Sequence, residues 1–277
     1  MRIDCHVHVT PPDIIANWEK YAQKEPYFSL LSNSKKNKFV CAEDVVTMLE
    51  QNNFDKAVIF GFAFNDIGLN RYVNDYVIEK TKQFPEKLIG FTVVPPCSEA
   101  AKEIERCYNA GFKGVGELFP GGQGINLENE NETKIITGIC KELDIPLLLH
   151  ADEPIGRYYK GKTDVTLRQL EIFVTNNPGL KIILAHFGGG LLFYETLKEI
   201  KEKFRNVYYD TAATPFLYEP QIYRVIKALG FCEKILFGSD FPLLSPFRFL
   251  SEIEAGDFSQ EEKQLILGGN AERLLGI

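Results

Sequence analysis

One pattern repeats along the sequence: a short apolar run is followed by a longer segment in which apolar residues recur with helical spacing. Eight of the apolar runs are predicted strands, at residues 2–9, 56–62, 88–94, 113–119, 146–150, 181–186, 207–210 and 235–239. Helices are predicted after them, at residues 42–52, 70–82, 98–110, 130–142, 166–176, 192–203, 220–229 and 247–255. Strands that alternate with helices are typical of a parallel α/β sheet.

A closed barrel explains this pattern better than an open sheet. Residues 147–149 and 182–184 contain only Leu and Ile, as expected of strands that are covered by protein on both faces. No glycine-rich dinucleotide motif follows the first strand, which argues against a Rossmann-type sheet. Ser259 and Glu262 form a predicted capping box before one further helix. We therefore predict a single (β/α)8 TIM-barrel domain over residues 1–277 with an extra C-terminal helix.

Residues 10–40 interrupt the repeat, because they separate strand one from its helix by far more than the usual ~2–6 residues. This insertion contains Trp18, the only tryptophan of the chain, together with Tyr21, Tyr27 and Phe28. It leaves strand one at the carboxyl end and its aromatic side chains need burial. We predict that it folds over the carboxyl ends of the strands as a lid. A homodimer contact and a packing insertion remain alternatives.

The four histidines of the chain all occur near the carboxyl ends of predicted strands. His6 and His8 are two residues apart in strand one and therefore point to the same face. His150 and His186 end strands five and six, and Asp240 follows strand eight. In a TIM barrel these ends meet at one face, and neutral imidazoles with carboxylates are ligands for zinc and similar divalent ions. The sequence therefore predicts a metal site.

The chain resembles the amidohydrolase superfamily over essentially its whole length, and in particular the amidohydrolase-2-type metal-dependent hydrolases. The resemblance depends on the motifs DCHVH at 4–8, HADEP at 150–154, AHFGGG at 185–190, YDTA at 209–212, FGSDFP at 237–242 and GNAERL at 269–274. It implies a distorted (β/α)8 barrel whose metal ligands are His6, His8, His150, His186 and Asp240.

Strand four departs from the pattern of this family. Many members carry a carboxylated lysine there, whereas this chain has Glu117. A glutamate can bridge two metal ions without carboxylation, as in the related TatD-like branch. We expect Glu117 to be a ligand in this way, although a Glu117 that only hydrogen-bonds to the ligands would imply a single ion. The expected cofactor is one or two divalent metal ions, with zinc as the expected metal.

The ligand set indicates hydrolysis. A bound metal ion lowers the pKa of its water to roughly 7, and Asp240 can take the proton of that water and return it to the leaving group. We expect a small amide, ester or lactone as substrate. One alternative is a non-oxidative decarboxylase that resembles aminocarboxymuconate-semialdehyde decarboxylase, although such enzymes typically lack a strand-four ligand. The other is a TatD-like nuclease, against which the net charge of −7 argues.

The loop after strand five carries candidate substrate-binding residues. Arg157, Tyr158 and Lys160 follow His150 at the mouth of the predicted barrel, where they can hold a carboxylate or phosphate of a small anionic substrate. A solvated loop is the alternative interpretation.

The charge and hydropathy of the chain limit its expected partners and location. The net charge is −7 and the richest basic cluster contains only Lys35, Lys36 and Lys38, so we expect no nucleic-acid partner. No run approaches the ~18 apolar residues of a membrane span, and no apolar signal segment follows Met1. We expect no membrane partner and a cytoplasmic protein.

Overall fold

The computed structural model describes residues 1–34 and 38–277, so Lys35 and Lys36 of the basic cluster lie outside the described residues. Each strand pairs in parallel with the next one along the chain, which confirms the predicted (β/α)8 barrel. The strands are β1 (Ile3–His8), β2 (Lys56–Phe60), β3 (Leu88–Thr92), β4 (Gly114–Leu118), β5 (Leu147–Leu149), β6 (Ile182–Leu184), β7 (Val207–Asp210) and β8 (Ile235–Leu236).

Backbone hydrogen bonds between β1 and the segment directly after β8 close the barrel. Cys5 N–H donates to the Phe237 carbonyl at 2.7 Å, and His8 N–H donates to the Phe241 carbonyl at 2.8 Å. Between these two bonds, Asp240 N–H donates to the His6 carbonyl at 2.9 Å. The closure therefore sets residue 240 directly beside residue 6 in space.

Helices surround the barrel, and none of those in the described part of the chain has the length and apolar character needed to cross a membrane. They are α1 (Pro12–Ala16), α2 (Trp18–Ala22), α3 (Pro26–Ser32), α4 (Ala42–Asn52), α5 (Ile67–Gln83), α6 (Ala100–Asn109), α7 (Pro120–Gln123), α8 (Glu130–Glu142), α9 (Leu167–Asn176), α10 (Lys198–Lys203), α11 (Thr214–Leu217), α12 (Ile222–Leu229), α13 (Pro246–Glu254), α14 (Gln260–Gln264) and α15 (Asn270–Leu275). The expected extra C-terminal helix is present as α14 and α15, which a π-helical turn connects.

The predicted helix at 192–203 is wrong in its first half. His186–Thr196 forms successive tight turns, and only the last part of the prediction is α-helical, as α10. Phe187 and the three glycines after it have positive φ, which an α-helix cannot contain. A Cβ on Gly189 would lie 2.1 Å from the Asp152 carbonyl oxygen, so this close approach of two loops requires glycine.

The insertion at 10–40 contains helices α1 to α3 and packs beside the carboxyl ends of the strands. Glu25 is 2% exposed, and its carboxylate accepts hydrogen bonds from Asn65 N–H at 3.0 Å and Asp66 N–H at 2.9 Å, just after β2. Phe28 packs edge to face against Phe62, with ring centroids 5.2 Å apart. These contacts attach the insertion to the barrel, while its function as a lid and the single-domain organisation of residues 1–277 stay predictions.

A buried ion pair connects the last strands with the turns after β6. Glu195 is 2% exposed and accepts hydrogen bonds from Tyr209 Oη at 2.7 Å and from Lys234 Nζ at 2.5 Å. Lys234 Nζ also donates to the Phe204 carbonyl at 2.8 Å. Each charged group therefore has protein partners in addition to the other.

We expect Lys234→Met to lower the free energy of unfolding by about 3 kcal/mol, because it leaves the buried Glu195 carboxylate without its cation. Urea denaturation of the purified protein measures this change. Lys203→Met is the matched control, since its partner Glu199 is exposed and the unfolding free energy should stay unchanged. An equally small effect of both substitutions would contradict the prediction.

Candidate metal centre

All six predicted ligands lie at the carboxyl ends of the strands, in two adjacent groups. Within each group, one donor atom of each residue lies within 4.8 Å of the others. His6, His8 and Asp240 form the first group, and Glu117, His150 and His186 form the second. The structure thus brings together every residue that the sequence nominated as a ligand.

The first group contains residues from the first strand of the barrel and from the segment after the last strand. His6 Nε2 and His8 Nε2 are 3.3 Å apart, which follows from the two-residue period of β1. Asp240 Oδ1 lies 3.3 Å from His8 Nε2 and 3.9 Å from His6 Nε2. Asp240 reaches this position because its backbone is hydrogen-bonded to β1 in the barrel closure.

The second group lies across β4, β5 and β6. His150 Nδ1 is 3.0 Å from Glu117 Oε1 and 3.2 Å from His186 Nε2. Glu117 Oε1 and His186 Nε2 are 3.7 Å apart. Three potential donor atoms therefore face one point in this group as well.

Glu117 connects the two groups through its two carboxylate oxygens. While Oε1 faces the second group, Oε2 lies 3.4 Å from His6 Nε2 and 3.5 Å from His8 Nε2. Its backbone can approach β5 because Gly116 has φ near 120°, and a Cβ at Gly116 would lie 2.3 Å from the Leu148 carbonyl oxygen. This arrangement is suited to a carboxylate that bridges two ions or supports one.

The imidazoles and carboxylates of the centre shift one another's pKa values. Burial alone would lower the pKa of His6, but Glu117 and Asp210 outweigh it and raise the pKa well above its usual value. Burial likewise opposes protonation of His150, yet Asp152 and Glu117 raise its pKa to about 10. Although burial raises the pKa of Glu117, the facing imidazoles of His6 and His150 hold it well below its usual value.

A divalent cation fits this donor set. Glu117 is 1% exposed, and the ion-pair partners that the described residues provide for it are all histidines. A buried carboxylate needs a cation, and a metal ion can replace the protons on the imidazoles while it binds their nitrogens. The residues of both groups can therefore hold one or two ions.

Hydrogen bonds behind the imidazoles orient three of the rings. Asp210 Oδ2 lies 2.8 Å from His6 Nδ1, and its Oδ1 accepts the His186 backbone N–H at 3.0 Å. His186 Nδ1 is 2.8 Å from the Ala212 carbonyl oxygen, and His150 Nε2 is 3.1 Å from Asp152 Oδ1. Such contacts fix the tautomer and the direction of a metal-binding imidazole.

From the sequence, Asp4 and Asp210 could each orient an imidazole or have only a structural role, and Asp152 was not identified as a supporting residue. Asp210 ends β7 and Asp152 follows His150 by two residues, so the period of a strand was the available signal. Asp4, which shares the inward face of β1 with the histidines, instead accepts hydrogen bonds from Ser239 N–H at 2.9 Å and Ser239 Oγ at 2.5 Å. It therefore supports the chain just before Asp240 and orients no imidazole.

The centre opens into a cavity of about 880 Å³. The predicted substrate-binding residues Arg157, Tyr158 and Lys160 line this cavity. They lie at its mouth and not at its base, because all three are exposed and Tyr158 retains 70% of its accessible surface. Its other lining residues near the centre include His8, Glu117, His150, His186, Asp240, Tyr27, Phe62 and Phe119.

Residues 3–277 match the amidohydrolase family model, which spans almost the whole chain. The chain belongs to the amidohydrolase family. This membership confirms the resemblance drawn from the sequence motifs.

Relatives of this amidohydrolase carry decarboxylase names. The 2-amino-3-carboxymuconate-6-semialdehyde decarboxylase of Dictyostelium discoideum is 24% identical over an alignment of 341 residues, which covers 100% of this chain and 92% of the relative. The gamma-resorcylate decarboxylase of Polaromonas sp. (strain JS666) is 24% identical over 251 residues, 74% of this chain and 75% of the relative.

A solved structure of similar fold is 5-carboxyvanillate decarboxylase from Novosphingobium aromaticivorans, complexed with manganese and 4-hydroxy-3-methoxy-5-nitrobenzoic acid. The TM-score is 0.77 at 18% sequence identity, and the match covers 100% of this chain and 96% of that chain. At this identity the comparison supports the fold of the amidohydrolase described here.

We expect Glu117→Gln to weaken metal binding, because the amide lacks the negative charge that faces both groups. The number of zinc ions per chain should fall from about two to about one where Glu117 bridges two ions, and affinity should fall ~10–100-fold where it supports a single ion. Elemental analysis and chelator competition measure both quantities. Glu103→Gln, which changes a buried glutamate on α6, is the control. Unchanged zinc content and affinity in Glu117→Gln would refute the assignment.

Proposed function

We propose that this amidohydrolase is a metal-dependent decarboxylase of a small, planar, unsaturated or aromatic carboxylic acid. The observation that carries the proposal is a buried centre of imidazoles and carboxylates that opens directly into an aromatic-walled cavity with cations at its mouth. The names of the full-length relative from Dictyostelium and of the Polaromonas relative support decarboxylation over the hydrolysis expected from sequence.

The proposed metal ligands are the six residues of the two groups: His6, His8, Glu117, His150, His186 and Asp240. A bound divalent ion supplies a Lewis acid that binds and polarises oxygen atoms of the substrate. Zinc is the metal expected from sequence, and the manganese in the Novosphingobium enzyme makes manganese a second candidate.

The walls of the cavity favour a flat substrate. The Phe119 ring stacks on His150 with centroids 4.6 Å apart and 23° between the planes. Phe62 stacks on the other side of Phe119 at 5.6 Å, and Tyr27 packs against Phe119 at 5.5 Å. Aromatic faces of this kind pack well against a planar conjugated molecule.

The mouth of the cavity favours a negatively charged substrate. Lys38, Arg157, Lys160 and Lys162 line it, and they come from two separate segments of the chain. The two segments meet where Tyr27 Oη donates a hydrogen bond to the Gly161 carbonyl. Cations at an entrance raise the local concentration of an anion although the chain as a whole is acidic.

Decarboxylation requires a proton for the substrate carbon, because the electron pair of the broken C–C bond stays on that carbon when CO2 leaves. If the centre holds one ion, the other five residues would suffice as its ligands, and the imidazole of His186 would be available to hold this proton. His186 is suited to it, since it lines the cavity and its hydrogen bond with Glu117 raises its pKa against the effects of burial and of His150.

Hydrolysis remains a second candidate because of Asp240. Its side chain is 13% exposed and lines the cavity, and although burial raises its pKa, the hydrogen bond with His8 keeps the pKa below its usual value. A carboxylate of this kind accepts a proton from water more readily than it donates one to carbon. No contact described here favours the TatD-like nuclease alternative.

Product analysis separates these reactions. Protein loaded with zinc or manganese is incubated in D2O with hydroxylated aromatic acids, with unsaturated dicarboxylic acids, and with lactones, esters and amides. We expect metal-dependent CO2 release from an acid, with one deuterium at the carbon that lost the carboxylate. Turnover of a lactone, ester or amide without CO2 release from any acid would establish hydrolysis and overturn the proposal.

Asp240→Asn should reduce turnover about 100-fold or more, because it removes a charged group from the centre at a position that faces both His8 and the cavity. Steady-state kinetics on the identified substrate measure the change. Asp257→Asn is a matched control, since Asp257 is exposed and, like Asp240, has a left-handed backbone conformation that asparagine tolerates. Full activity of the Asp240→Asn variant would show that the Asp240 carboxylate has no role in the catalysed reaction.

The double substitution Arg157→Gln and Lys160→Gln should raise KM about 10-fold and leave kcat unchanged, because the two cations attract the substrate without contacting the reacting atoms. Added salt should reduce the difference from the unaltered protein by screening the charges. Lys134→Gln on α8 is the control, since Lys134 pairs with Asn131 away from the cavity. An unchanged KM for the double variant would favour a merely solvated loop.

A further inference from the structure

Asp152 lies directly behind His150 and is not among the proposed ligands. Its side chain is 1% exposed, and its Oδ1 is 3.1 Å from His150 Nε2. Its Oδ2 accepts the Thr163 backbone N–H at 2.8 Å and the Thr163 hydroxyl at 2.5 Å. Both oxygens of this buried carboxylate therefore have hydrogen-bond partners.

His150 faces the centre with the opposite nitrogen from the other two oriented histidines. His6 and His186 direct Nε2 towards the centre and are held from behind at Nδ1. His150 instead directs Nδ1 towards Glu117 and His186, and is held from behind at Nε2. Each nitrogen of His150 therefore faces a carboxylate, and a metal ion can bind Nδ1 only when the proton of the ring is on Nε2.

The geometry points to Asp152 as a positioning residue: we propose that it holds the proton of neutral His150 on Nε2, so that an unprotonated Nδ1 faces the metal. Two carboxylates face this imidazole, Glu117 at Nδ1 and Asp152 at Nε2, and both only accept hydrogen bonds. A metal ion held by Nδ1 and Glu117 would replace a proton on Nδ1, which leaves the single proton of neutral His150 on Nε2, where Asp152 accepts it. This inference rests on the metal centre of the proposed function, but not on the reaction that the centre catalyses.

Asp152 also links His150 to the segment that carries the cations of the cavity mouth. Tyr159 Oη donates to Asp152 Oδ1 at 3.1 Å, and Thr163 binds Oδ2. Arg157 and Lys160 flank Tyr159 in this segment. The backbone of Asp152 is fixed as well, by the close approach of Gly189 after β6. One carboxylate thus sets both the direction of a ligand and the position of the cationic loop.

Asp152→Asn tests this role because the amide has one oxygen and one NH2 group, which must face Thr163 and His150 in one of two orientations. The Thr163 backbone N–H is always a donor and takes the amide oxygen, which turns the amide NH2 towards His150 Nε2. Neutral His150 must then carry its proton on Nδ1, where it blocks the lone pair that faces the centre. In a serine protease, an equivalent Asp-to-Asn change produces the wrong tautomer of the catalytic histidine.

The chain has four histidines, so the ring nitrogens can be resolved by NMR of protein with 15N-labelled histidine. Zinc is the metal for this experiment because it is diamagnetic, and the His150 signals are assigned by their loss in His150→Gln. In the unaltered protein we expect a proton on His150 Nε2 and none on Nδ1. In Asp152→Asn we expect zinc affinity to fall ~10–100-fold, measured by chelator competition, and the tautomer to be reversed.

Glu153→Gln is the matched control. Glu153 is the next residue and lines the same cavity, and the substitution removes one negative charge without touching His150. It should change neither the zinc affinity nor the His150 tautomer. A loss of zinc affinity as large as that of Asp152→Asn would reveal a general charge effect and overturn the proposal.

Thr163→Val provides a milder test if Asp152→Asn does not fold. It removes one of the donors to Asp152 and keeps the backbone N–H, so we expect zinc affinity to fall about threefold while circular dichroism stays unchanged. A proton on His150 Nδ1 in the zinc-loaded, unaltered protein overturns the proposal without any variant. If that protein has the stated tautomer but releases no CO2 from any acid, the proposed function fails and this inference holds.

Discussion

The rest of the centre depends on the buried negative charge of Glu117. Glu117 is 1% exposed at the inner end of β4, and an isolated carboxylate at such a position would be strongly unfavourable. Imidazoles from β1, β5 and β6 approach it on two sides, and they can pair with it as cations or share a metal ion with it. Four strands of the barrel therefore converge on one carboxylate, and the metal proposed here would meet the same electrostatic requirement without protons on the rings.

The surrounding structure limits how far these side chains can move. Asp210 is hydrogen-bonded to the ring of His6 and to the backbone N–H of His186, so one carboxylate connects the two groups. Asp152 performs a similar role between His150 and the loop at the cavity mouth. Groups held in this way are prepared for a ligand before it arrives, which lowers the reorganisation that binding would need.

Periodic features of this molecule could be predicted from sequence, and features that depend on contacts between loops could not. The strand period placed His6 and His8 on one face, and the barrel topology brought His150, His186 and Asp240 to them. The turns at His186–Thr196 were predicted as helix in part, because a left-handed backbone leaves little trace in the spacing of apolar residues. The direction of the His150 ring depends on Asp152 and Thr163, and hydrophobic periodicity carries no information about such a contact. Glu117 was correctly expected at the centre, but it was also taken as evidence against decarboxylation, and the relatives support decarboxylation more than hydrolysis.

The barrel closure also determines when the centre can form during protein synthesis. His6 and His8 are synthesised long before Asp240, which completes their group and is held in place only when the segment after β8 pairs with β1. A nascent chain therefore contains these two imidazoles long before the carboxylate that completes their group has been made. Any ion captured at that stage would be bound by an incomplete set of ligands and could exchange freely. The complete set of proposed ligands would therefore be available to a metal ion only after the barrel has closed.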